Sequence, residues 1–108
     1  MELKGIDVFS RKALGVKVEK GIITDLETLA GEVQLPYIAP GFFDIQVNGY
    51  RGNDYNAADL NVEHICGIVT DLDAAGVTRY FPTIVSGPCE RTLKNLAIVA
   101  DLVSTSRE

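Results

Sequence analysis

Residues 39–56, Ala-Pro-Gly-Phe-Phe-Asp-Ile-Gln-Val-Asn-Gly-Tyr-Arg-Gly-Asn-Asp-Tyr-Asn, constrain the fold more than any other stretch. Pro40-Gly41 is a turn signal. An apolar run follows from Phe42 to Val47, broken by Asp44 and Gln46. That pattern predicts a strand buried on both faces, as in a parallel sheet. The run ends in a loop rich in Gly and Asn, from Asn48 to Asn56. In α/β folds ligands gather at the carboxyl ends of such strands. Side-chain alternation puts Asp44, Gln46 and Asn48 on one side of the strand. A polar stripe inside an apolar strand is costly unless its groups are paired.

The rest of the chain falls on either side of this stretch. Residues 1–39 read as a β-rich segment. Gly5 to Phe9 is a short strand candidate, and Gly15 to Glu19 alternates apolar and polar as a half-buried strand does. Lys20-Gly21 is a turn and Ile22-Ile23 begins the return arm, while Thr24 to Gly31 reads either way. Glu32 to Ile38 alternates again and contains Pro36, which suits an edge strand.

Residues 40–108 read as strand, helix, strand, helix. Asn61 or Asp59 caps the first helix, and Glu63 sits in its first turn, where the helix dipole favours an anion. Val62, Ile65, Cys66, Val69, Leu72 and Ala75 form its expected buried stripe, and Gly76 ends it. Val77 to Val85 is the next strand, kinked or bulged at Pro82. Ser86-Gly87-Pro88 starts the second helix, with Leu93, Leu96, Ala97, Ala100 and Val103 as its buried stripe. Two βα units with right-handed crossovers follow from that order. Cys66 and Cys89 show no C-x-x-C spacing and fall in the expected helices, so they read as buried, reduced thiols.

Pro40 to Gly49, with Gly52 and Asp54-Tyr55-Asn56 behind it, resembles the first barrel strand of the amidohydrolase superfamily. Within it, the likeness is strongest to the N-acetylglucosamine-6-phosphate deacetylase family. Gly76 to Ser86 is similar to the second barrel strand of that family. The resemblance implies an α/β chain in which short N-terminal antiparallel strands, part of a small β-sandwich, precede the first two βα units of a (β/α)8 TIM-type barrel. Such a barrel takes about 250 residues, so 108 residues hold roughly a quarter of one and suggest a fragment.

The implied activity is deacetylation of N-acetylglucosamine 6-phosphate to glucosamine 6-phosphate and acetate, with a divalent metal, zinc or similar, in the full-length enzyme. Amidohydrolases commonly carry His-x-His at the end of the first barrel strand, and Gln46-Val47-Asn48 stands there instead. Amide oxygens are weak zinc ligands beside imidazole and carboxylate. Some members of the deacetylase family show the same Gln-x-Asn and hold one metal with a glutamate and two histidines later in the chain. Gln46 and Asn48 would therefore orient water or substrate, or else satisfy backbone groups at the barrel mouth. Asp44 serves either as a partner behind them or as a cap on local amides. Thr83, with Ser86, either bonds a substrate hydroxyl or plays a turn role. Arg51 meets an anion or is solvated.

His64 is the one histidine and falls on a helix, so residues 1–108 lack a three-ligand metal site and no cofactor is expected for them alone. No Ser-His-Asp or Cys-His arrangement is present either. The net charge of −5 argues against nucleic acid and anionic membranes as partners. No apolar run reaches the roughly 20 residues of a membrane span, and no secretory signal is visible, which points to the cytoplasm. The expected partner is a phosphorylated amino sugar in the full enzyme. Two parallel strands leave open edges, so self-association to a homo-oligomer is expected too. Two other readings stay open. One is a non-catalytic self-associating or binding module, and the other is an amidohydrolase for another N-acyl or cyclic amide substrate.

Overall fold

A computed structural model describes residues 1–31 and 34–105. The chain is mixed α/β and divides into two compact units, Met1–Pro40 and Gly41–Glu108.

The first unit is one four-stranded sheet. Strands β1 (Glu2–Asp7), β2 (Ala13–Glu19), β3 (Ile22–Thr28) and β4 (Tyr37–Ile38) lie in the order β3-β2-β1-β4. β1–β2 and β2–β3 pair antiparallel, and β4 runs parallel to β1. The β2–β3 turn is Lys20-Gly21, both at positive φ (51° and 76°), the left-handed geometry that suits a two-residue hairpin. β1 begins and ends earlier than the expected Gly5 to Phe9. Asp7 starts a turn there: its carboxylate accepts from Ser10 N at 2.8 Å and its carbonyl from Arg11 N at 2.9 Å. The undecided stretch after Ile23 is strand as far as Thr28. Of the expected strand at 32–38, Glu32 and Val33 lie outside the described residues, and only Tyr37–Ile38 pairs, at the sheet edge.

Alternation gives this sheet one apolar face. Leu3, Leu14, Val16, Val18, Ile23 and Leu26 line an open depression, while Glu2, Lys17, Asp25 and Glu27 stand on the other side. A sandwich needs a second sheet on the apolar face, and the described residues of this unit form only one.

In the second unit, β5 (Phe42–Val47) and β8 (Val77–Pro82) pair in parallel, with helix α1 (Val62–Ala74) between them in sequence and α2 (Cys89–Thr105) after. β6 (Gly49–Tyr50) and β7 (Asn53–Asp54) form a small antiparallel hairpin in the intervening loop. Asn61 caps α1, its side-chain oxygen accepting from His64 N at 3.0 Å. Gly76, at φ +84°, turns the chain out of the helix, and its carbonyl accepts from Phe42 N at 2.8 Å, which starts the parallel pairing.

The core is Val47, Tyr55, Leu60, Ile65, Ile68 and Leu72, with Val77, Tyr80, Ile84, Ile98, Val99 and Leu102 packed against it. Several sequence expectations need correction here. β5 is not buried on both faces: Phe42, Phe43 and Ile45 are exposed and Val47 is covered, because among the described residues the sheet has only two strands. α1 buries the line Ile65-Ile68-Leu72, leaving Val62, Cys66 and Val69 exposed. α2 turns Asn95, Ile98, Val99 and Leu102 inward, and Leu93, Leu96 and Val103 are exposed. Both helices carry apolar residues over a wide arc, and only the part facing the Val47–Tyr55 cluster finds a partner. Cys66 and Cys89 are free thiols, exposed and not buried, since both sit off those inward lines. β8 stops at Pro82 instead of reaching Val85. No helix among the described residues is long and apolar enough to cross a membrane.

Candidate functional site

The carboxyl ends of β5 and β8 meet at one rim. Thr83 N donates to the Val47 carbonyl at 2.8 Å, continuing the ladder one step past β8. From there β5 turns away into its hairpin, and side chains replace the strand. Asn48 Nδ2 donates to the Thr83 carbonyl at 3.1 Å. Val85 N then donates to Asn56 Oδ1 at 2.7 Å. Two carboxamides thus satisfy the backbone of residues 83–85 where a strand would otherwise do so.

Asp44, Gln46 and Asn48 line an open concavity of about 310 Å³ with Val47, Gly49, Tyr50, Leu72, Ala75 and Val77. Gln46 Nε2 reaches Asn48 Oδ1 in a long contact of 3.5 Å. Asp44 Oδ1 accepts from Gln46 N at 3.0 Å, a local cap on its own backbone. The pairing register of β5 shifts between Asp44 and Val47, so simple alternation does not carry through this segment. Thr83 Oγ1 donates to the Phe81 carbonyl at 3.1 Å, also a local bond. Arg51 pairs with Asp71 at 3.6 Å, with the Arg51 side chain 70% exposed. His64 is half-buried on α1.

The loop that carries this rim is held from behind by residues to which the sequence assigned no role. Asn95 is fully buried on α2, and its Nδ2 donates to the carbonyls of Tyr55 at 2.8 Å and Ala57 at 2.9 Å. Lys94 Nζ donates to the Ala58 carbonyl at 3.1 Å. The Tyr55 and Tyr80 hydroxyls are 2.8 Å apart. Burial, reinforced by that bond, pushes the Tyr55 phenol well above its ordinary value of 10.0. One signal for Asn95 was available: a lone carboxamide heading the apolar series Ile98, Val99 and Leu102.

The hairpin was not foreseen either. Its turn, Arg51-Gly52, has both residues at positive φ (48° and 92°). Gly49 is required by close approach, because a Cβ there would collide with the Asn53 carbonyl oxygen and lie 2.8 Å from Asp54 Cα.

A divalent metal does not suit these residues. Two carboxamides and one carboxylate already committed to a backbone amide make a weak donor set. Among the described residues, no group of three His, Cys, Asp or Glu side chains could hold a metal ion.

No protein-family model matches the chain, and no solved structure matches it. Similarity to curated proteins is partial. The chain is 37% identical over 54 residues to "N-acetylglucosamine-6-phosphate deacetylase" of Bos taurus, across 49% of this chain and 13% of that protein. The proteins of the same name from Rattus norvegicus and Homo sapiens are 39% and 37% identical, with the same coverage. The matched stretch is thus about half of this chain and spans 13% of each relative's length, which supports an origin related to these deacetylases.

Proposed function

We propose that residues 41–105 open the barrel of a hydrolase that deacetylates N-acetylglucosamine 6-phosphate, and that residues 1–108 are inactive by themselves. One observation carries this reading. Gln46 and Asn48 stand together at the carboxyl end of a parallel strand, beside the end of the strand that follows one helix later. The partial similarity to the named deacetylases supports the substrate class.

In this reading a divalent metal, zinc or similar, belongs to the whole enzyme and is held by residues beyond these 108. It would supply Lewis-acid chemistry at the acetamide. The residues present orient the sugar: the Asn48 carboxamide is held by Thr83 and lies in long contact with the Gln46 amide, and both residues line the concavity. Asp44 shapes the backbone at Gln46. The first unit's apolar sheet face belongs to a small β-sandwich completed elsewhere. The protein works in the cytoplasm.

The test is direct. Incubated with N-acetylglucosamine 6-phosphate and zinc, the 108-residue protein releases no acetate. Its Gln46 and Asn48 side-chain amide resonances shift with millimolar sugar phosphate, while those of Asn95 stay in place. Acetate release would refute the inactive half. Shifts only away from Asp44, Gln46, Asn48 and Thr83 would refute the site.

Exposed apolar surface favours a second reading, a self-associating module without catalysis. Phe42 is 70% and Ile45 73% exposed on β5. A stable oligomer whose amide resonances ignore the sugar phosphate would select it.

A further inference from the structure

We propose that Asn48 is a site of water-driven deamidation, and that the fold gates the reaction through the Thr83 clamp and the hairpin beginning at Gly49. Two separate structural demands create the site. The clamp needs a carboxamide at position 48, because its Nδ2 supplies the donor to the Thr83 carbonyl. The hairpin needs glycine at 49, because any Cβ meets Asn53 and Asp54. Together they set asparagine before glycine. Asn53, Asn56, Asn61 and Asn95 are instead followed by Asp54, Ala57, Val62 and Leu96, whose side chains crowd the attacking nitrogen.

The chemistry closes without an oxidant or reductant. The Gly49 nitrogen, losing its proton, attacks Asn48 Cγ and forms the ring N–Cγ bond. The Cγ–Nδ2 bond breaks, and ammonia leaves with that proton. Water then opens the succinimide. Cleavage at Cγ–N gives aspartate, and cleavage between the Asn48 backbone carbonyl carbon and the same nitrogen gives isoaspartate.

Ring closure requires the carboxamide to swing onto the Gly49 nitrogen, and three contacts oppose that. Nδ2 is held by Thr83, Oδ1 by Gln46 at 3.5 Å, and the Asn48 carbonyl accepts from Tyr55 N at 2.9 Å. Conversion therefore waits on local opening of the rim. Once formed, the new carboxylate faces the Thr83 carbonyl where a donor stood, so the two strand ends lose a tie and repel. The inference rests on local geometry and is independent of the hydrolase reading.

Peptide-mapping mass spectrometry over a mildly alkaline incubation tests it, on the folded protein, the protein in urea, and the Gly52→Val variant. Gly52 sits at φ +92°, so a β-branched residue there strains the hairpin turn. Asn48 should convert at least about tenfold more slowly in the folded protein than in urea, a factor set by the opening equilibrium. Gly52→Val should move the folded rate towards the urea rate. Equal rates in folded and urea-treated protein, or earlier conversion of another asparagine in urea, would overturn the proposal. Asn48→Asp, made directly, should lower the urea midpoint, and an unchanged midpoint would overturn the clamping role.

Discussion

Asn95 Nδ2, fully buried on α2, donates to the Tyr55 carbonyl at 2.8 Å and holds the rim loop against the helix that follows it by 40 positions. The same nitrogen reaches the Ala57 carbonyl at 2.9 Å, so both of its protons are used. Asn95 Oδ1 is buried without a partner among the described residues, so the carboxamide is kept at some cost for what its donor side does. Replacing it by leucine strands the buried Tyr55 carbonyl and the half-buried Ala57 carbonyl. Asn95→Leu should destabilise by about 2–4 kcal/mol, seen as a lower urea midpoint with an unchanged slope. A midpoint at or above that of the parent would show that the bonds do not hold the loop.

Tyr55 carries the neighbouring tie. Tyr55→Phe leaves the Tyr80 hydroxyl without its 2.8 Å partner and should cost about 1 kcal/mol. The pH dependence follows from linkage. The folded phenol titrates above its unfolded value of 10.0, so its contribution is complete below that pH and is lost as pH rises further. The alkaline fall in stability should therefore be shallower in Tyr55→Phe than in the parent, which urea melts on either side of that value would show.

Gly49 and Gly52 separate two kinds of glycine. Gly49→Ala should cost about 1–3 kcal/mol through collision with Asn53 and Asp54. Gly52→Ala meets no atom within 4 Å and bears only the strain of φ +92°. Its cost should be about 1 kcal/mol. The reverse ranking of the two midpoints would contradict the hairpin geometry.

Phe43 and Phe81 form an edge-to-face pair at 5.1 Å, and both remain more than half exposed. Their two-stranded sheet has open edges, which promotes pairing with further strands. The protein should associate with rising concentration in sedimentation runs. Phe43→Glu should weaken that association while leaving the circular dichroism spectrum unchanged. A parent protein that stays monomeric at all concentrations would remove this expectation.

Local signals were legible in the sequence where local physics decides. Lys20-Gly21, the Asn61 cap and the Gly76 stop each satisfy their own backbone neighbours, so a few residues suffice to read them. The helix faces were legible only in part: Ile65 and Leu72 turn inward as expected, and the rest of the stripe does not. Whether Ile68 or Cys66 turns inward depends on where Tyr55 and Leu60 stand, and nothing near residue 66 encodes that. At the rim, the strand-end position of Gln46 and Asn48 was readable from the apolar run that precedes them. The engagement of Asn48 with Thr83, 35 residues away, was not, because a carboxamide suits a substrate and a carbonyl equally well. The bond from Val85 N to Asn56 was not legible for the same reason.

The carboxamides of Asn48 and Asn56 tie the ends of two parallel strands into one rim. Scalar couplings across hydrogen bonds test it most directly by NMR. Cross-peaks are expected from Asn48 Nδ2–H to the Thr83 carbonyl carbon and from Val85 N–H to Asn56 Cγ, beside the backbone cross-peak from Thr83 N–H to the Val47 carbonyl carbon. Cross-peaks that instead pair residues 83–85 with another backbone segment, or that set β5 antiparallel to its neighbour, would contradict it.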